Sequence, residues 1–158
     1  MYVETKNVQK RRKLTFHSID EVVADAERLV TSPNTKMLGN WPLDQLLTHL
    51  TLAMNGSVEG ISAKAPWYVR LLSPLIKRRI FKHGMSAGFR LPKEVEKEFF
   101  PPAASIQEAF EKFRTAAKRI QTERMTSPHP VFGKLTQDEW MKLHLRHAEL
   151  HLSFAIPG

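Results

Sequence analysis

The chain is predicted to be all-α, a four-helix bundle with one long crossover between its second and third helices. Three observations predict this. Four segments carry apolar residues at helical spacing, each behind its own start signal; about 40 proline-punctuated residues separate the second from the third; and no stretch alternates apolar and polar residues well enough for a strand. With 158 residues, 42% of them apolar, the sequence has the length and the material for one domain with a full core. The expected organisation is a single domain over 1–158, in which 1–14 is a basic N-terminal arm and 64–104 is the crossover.

Helix one is read from "SIDEVVADAERLV". Ser18 and Glu21 have the spacing of a capping box, and Ile19, Val22, Val23, Ala26, Leu29 and Val30 recur at helical intervals until "SPN" stops the pattern. Helix two, over 41–61, opens in "NWPLDQLLTHL" with Asn40 as the cap and Pro42 in the first turn, where a missing N–H is harmless. On its His49 face, Ala53, Gly56 and Gly60 are small, which either makes room for a cavity or allows close packing and ends the helix. The crossover contains "WYVRLLSPLIKRRIF", broken by Pro74, where a short helix is expected, and then a stretch ending in "FFPP". Helices three and four start with further capping-box pairs, Ser105 with Glu108 and Thr136 with Glu139.

This topology locates the histidines. With one long crossover, helix four runs antiparallel to helices two and three. At about 100° per residue, His144, His147 and His151 share the stripe of Trp140, Leu143, Leu150 and Phe154 and point inward. His49 sits at the edge of the apolar arc of helix two, roughly 10 Å above its start, while His151 and His147 lie roughly 5 and 10 Å above the same end of the bundle. His49, His147 and His151 are therefore the candidate metal ligands. An i,i+4 pair can chelate a divalent ion at about 2.0–2.1 Å, with the third ligand supplied by a facing helix. Three neutral nitrogens suit Zn, Ni or Fe(II) and leave coordination positions open for chemistry.

Other polar residues carry two readings. His144, about one turn higher, is either a catalytic acid or base in the pocket or a hydrogen-bonded core histidine. Gln45, one turn before His49, is a partner for the ligands or a solvated helix residue. His83 and His129 fall in connections.

There is no cysteine, which excludes disulfides, thiolate nucleophiles and sulfur metal sites; a thiol could enter only as a low-molecular-weight cosubstrate. Twenty-four basic against 16 acidic residues give a net charge of +8, which suits a nucleic acid, an anionic membrane surface or an anionic small molecule. The runs "QKRRK" and "IKRRIFK" lack any helix-turn-helix or RNA-binding signature, so nucleic acid is not the expected partner. Lys77, Arg78, Arg79 and Arg90 are expected to draw in an anionic small-molecule substrate. No apolar run approaches the roughly 18 residues of a membrane span, and the N-terminus does not read as a secretory signal. No membrane partner and a cytoplasmic location are expected.

"NWPLDQLLTHL", followed far downstream by "HPVFGKLTQDEWMKLHLRHAELHL", resembles the DinB/YfiT-like metalloenzyme superfamily, in particular a bacterial branch carried as a domain of unknown function. The resemblance runs from "LTFHSIDEVVADAERL" to Gly158. It implies a four-helix bundle binding a divalent ion through one His on helix two and a His-x-x-x-His pair on helix four, which by motif position are His49, His147 and His151. It also implies a reaction of the hydrolase or thiol-dependent transferase kind, since relatives include thiol-dependent S-transferases and a mycothiol-dependent isomerase, and a homodimer, since relatives often pair. Departing from that branch's pattern, Leu150 precedes His151 here, and Ser153 and Phe154 follow Leu152. The alternative is a bundle that serves as a binding or dimerisation scaffold without turnover.

Overall fold

The computed structural model describes residues 3–62, 65–88 and 105–158. Their order is a short 3-10 turn at Thr5–Asn7, α1 (Ile19–Thr31), β1 (Lys36–Met37), α2 (Leu43–Glu59), α3 (Trp67–Leu71), α4 (Ser73–His83), α5 (Ile106–Thr122), α6 (Gln137–Leu152) and β2 (Ala155–Ile156). The described chain is thus helical apart from one small ribbon. Its four predicted helices are α1, α2, α5 and α6.

Their starts follow the expected chemistry with local variations. Ser18 accepts a hydrogen bond from the Glu21 N–H, but the Glu21 carboxylate turns to the His17 N–H instead of closing the box. Ser105 likewise caps through the Glu108 N–H, while the Glu108 carboxylate pairs with Lys112. Only at α6 among these is the box reciprocal, Thr136 and Glu139 each accepting the other's backbone N–H. Thr136→Ala should cost about 1 kcal/mol, measurable as a shift of the urea midpoint at constant slope.

Helix two differs from expectation at its start. Pro42 is the N-cap and α2 begins at Leu43, because a residue before proline is steered away from helical dihedrals and Trp41 is left outside. Asn40 does not cap; its amide exchanges hydrogen bonds with the backbone of Val3. The two glycines follow the second of the readings open from the sequence, close packing at Gly56 and helix ending at Gly60. A Cβ on Gly56 would lie 2.8 Å from Cγ1 of Ile61, and Gly60, at φ +119°, terminates the helix.

Two further differences concern connections. Strands do occur: Lys36 pairs with Ile156 and Met37 with Ala155, antiparallel, in a ribbon too short to leave an alternation in the sequence. Among its described residues the crossover holds two helices, α3 and α4, divided at Leu72 just before Pro74. Its "FFPP" stretch, Lys64 and Arg90 lie outside the described residues.

The core is assembled from the inward faces of α1, α2, α5 and α6, with Val22, Leu29, Leu47, Leu50, Phe113 and Trp140 among its most buried side chains. Helix α4 lies against α6, where Lys77 bonds Glu139 at 2.6 Å. The basic N-terminal arm is docked rather than free. Arg12 grips Asp25 through two bonds of 2.7 Å and donates to the Leu152 carbonyl at 2.9 Å. Arg11 donates to Ser153 Oγ and the Leu150 carbonyl, and its guanidinium stacks 4.1 Å from the Phe154 ring centre. A planar guanidinium suits both tasks, satisfying the carbonyls left open at the end of α6 while lying flat on an aromatic ring.

Candidate metal centre

Helices α2 and α6 run antiparallel, since His49 meets His147 and His151 while Ser57, two turns further along α2, meets His144. His49 is buried, and His147 and His151 are partly exposed. One ring nitrogen from each of the three lies within 4.8 Å of the other two. The rings meet edge to face, with centroids 4.8 Å apart for His49 and His147, 4.6 Å for His49 and His151, and 4.6 Å for His147 and His151. Nε2 of His49 and Nε2 of His147 are 2.9 Å apart, a hydrogen bond when one of them carries the proton.

Burial pushes His49 down to about 4, because a charged imidazole there would lose its hydration. His147 and His151 are also held well below the ordinary histidine range, first by burial and then by neighbouring positive charge: for His147 chiefly His151 and His49, for His151 His49 and Arg11. All three rings are therefore neutral near pH 7, the form whose lone pairs bind metal. Nitrogens around an ion at about 2.1 Å sit roughly 3.3 Å apart, so modest side-chain rotation brings this group to a ligand geometry. The group could hold a divalent ion.

Trp41 completes the surroundings and was not among the residues singled out from the sequence. Its indole stacks on His151 at 5.2 Å and 14°, and leans on His49 at 5.2 Å and 52°. The available signal was its place before Pro42, at the end of α2 where helix rise brings the three histidines level.

His144 lies apart from this group, at the level of Ser57. It is 3% exposed, its Nε2 is 3.0 Å from Ser57 Oγ, and its ring is stacked with Trp140 at 5.5 Å. Ser57 Oγ donates to the Met54 carbonyl at 2.6 Å, so it accepts from His144, whose proton is then on Nε2. These are the partners of a hydrogen-bonded core histidine. His129, in the loop before α6, stacks on Phe132 at 4.5 Å, leans on Trp140, and accepts the N–H groups of Val131 and Phe132 at Nδ1.

Burial lowers His129 and His144 to about 4, with the charge of His129 adding to the effect on His144. Each then has a folded pKa below its unfolded value of about 6.5, and the unfolded chain binds more protons between the two. Stability is full above about pH 6.5 and falls as pH drops towards 4, by up to roughly 1.4 kcal/mol per pKa unit for each group. Thermal melts of metal-free protein from pH 7.5 to 4 check this; a midpoint constant across the window would contradict it.

Neither curated proteins nor solved structures give a match to this chain. A family model does, over residues 8–158, nearly the whole length, and its description is "Protein of unknown function (DUF1569)". The chain belongs to that family.

Proposed function

We propose that this chain is a divalent-metal-dependent enzyme built as a four-helix bundle, in which His49, His147 and His151 hold Zn, Ni or Fe(II) and act on a small molecule. The observation that carries the reading is the convergence of three neutral ring nitrogens, from two antiparallel helices, within 4.8 Å. Leucine at such positions would give a better core, since imidazoles taken from water need compensating partners. The resemblance to the DinB/YfiT-like superfamily supports the same ligand set. When bound, the ion supplies Lewis acidity that activates water or a small thiol, so the reaction is a hydrolysis or a thiol-dependent transfer.

The chain's own residues prepare that site. Trp41 stacks flat on His151 and limits the ring's rotation. His144, with its Nε2 engaged by Ser57, is a positioning residue in this reading: the bond ties α6 to α2 at fixed register, so that His147 and His151 face His49. With no cysteine in the sequence, a thiol arrives as cosubstrate.

A non-catalytic scaffold is the second reading, favoured by the 2.9 Å contact between Nε2 of His49 and Nε2 of His147, which a single imidazole N–H satisfies without an ion. Elemental analysis of protein purified without a nickel column separates the two. The enzyme reading expects about one ion per chain, a thermal midpoint that rises with Zn, Ni or Mn, and turnover with thiol cosubstrates that chelation abolishes. Protein without metal that no added ion stabilises would leave only the scaffold.

A further inference from the structure

Helices α3 and α4 follow one another as a rod broken at Leu72, whose backbone stands at φ −85° and ψ −1°. Counted at about 100° per residue within each helix, Trp67, Tyr68 and Leu71 fall on one side of α3 and Leu75 on one side of α4, with Leu72 at the break between them. They are the large apolar side chains most exposed to solvent among the described residues, at 76, 57, 72, 53 and 67%. The same side continues along α4 as Arg78, Arg79 and Lys82, all exposed. The opposite side is held by the body of the protein: Ile80 and Phe81 pack against the core, Lys77 bonds Glu139, and Arg146 donates to the Phe81 carbonyl. The exposed face is thus carried on an anchored element.

We propose that this face is a docking surface for an anionic lipid bilayer. The rod is polarised along its length, an apolar half with Trp and Tyr followed by a cationic half. Indole and phenol rings favour the boundary between acyl chains and headgroups, leucines enter the acyl region, and arginine and lysine bind headgroup phosphates and carboxylates. Charge chooses the occupant. A second copy of this chain would bring the same three cations and the same net charge of +8, whereas an anionic leaflet attracts both. A nucleic acid would use the cations but leave Leu71, Leu72 and Leu75 in water. The sequence expectation of no membrane partner rested on the lack of a spanning segment, and among the described residues no helix is long and apolar enough to span. Peripheral attachment needs none.

Flotation of the full chain with phosphatidylcholine vesicles, with and without phosphatidylserine at about one lipid in three, is the test. The protein is expected to float with the anionic vesicles, to stay behind with the neutral ones, and to be released by high salt. A blue shift of tryptophan emission on binding should vanish in Trp67→Phe. Leu71→Ser with Leu75→Ser, and separately Arg78→Glu with Arg79→Glu, should each lower partitioning roughly tenfold or more. Their thermal midpoints should match the parent's, because all four side chains are exposed. Equal partitioning of parent and folded variants would overturn the proposal, as would no flotation by folded protein. A dimer that the leucine pair abolishes while vesicles are ignored would assign the face to a second copy instead.

Discussion

Trp140→Ala should lower stability by about 3–5 kcal/mol, enough to remove a large part of the folding free energy of a domain this size. The side chain is 2% exposed and is the largest of the fully buried ones. Its indole fills the space between His144, stacked at 5.5 Å, and His129, tilted at 5.4 Å. Truncation leaves a hole bordered by two neutral imidazoles that cannot collapse into it without giving up Ser57 on one side and the Val131 and Phe132 N–H groups on the other. Trp140→Phe should cost far less, on the order of 1 kcal/mol, because the indole Nε1 has no hydrogen-bond partner among the described residues to lose. Urea titrations of the two variants check the contrast, and a phenylalanine variant as damaged as the alanine one would show that the indole nitrogen is engaged.

His147→Ala should bring bound metal from about one ion per chain to near zero and weaken affinity at least about 100-fold. His147 is half of the i,i+4 pair and also touches His49 through Nε2, so its loss removes one donor and loosens another. The metal-dependent rise in thermal midpoint should disappear with it. Ser57→Ala offers the comparison: it breaks the His144 bond between α2 and α6 without removing a ligand. It should weaken metal binding by a smaller factor, and retain metal where His147→Ala does not. Equal metal content in His147→Ala and the parent would remove the histidine group from consideration.

Periodicity was enough to locate α1, α2, α5 and α6, and capping residues marked the starts of all but α2, because each of those signals is local: a side chain and a backbone N–H three residues away, or apolar positions one turn apart. Helix rise, constant once start and direction are known, brings His49 level with His147 and His151 for the same reason. What escaped the sequence is long-range or very short. Arg12 reaches Asp25 and the Leu152 carbonyl from an arm whose basic residues look like ordinary solvated charge. The β1–β2 ribbon has two residues per strand, too few for alternation to register. Trp41 was counted into a helix from which Pro42 displaces it, and that displacement is what frees its ring to lie on His151. Gly56 left vacant space and close packing equally open, and it is Ile61, from the returning chain, that makes it packing.

The dependence of the terminal helix on the opening arm bears on biosynthesis. The two contributions to the histidine group are 98 residues apart, and the clasp between Arg12 and Leu152 spans 140. A chain growing from its N-terminus presents His49 well before the segment that answers it. Joining the two is therefore a long-range step of folding, which waits on the closure of these long loops.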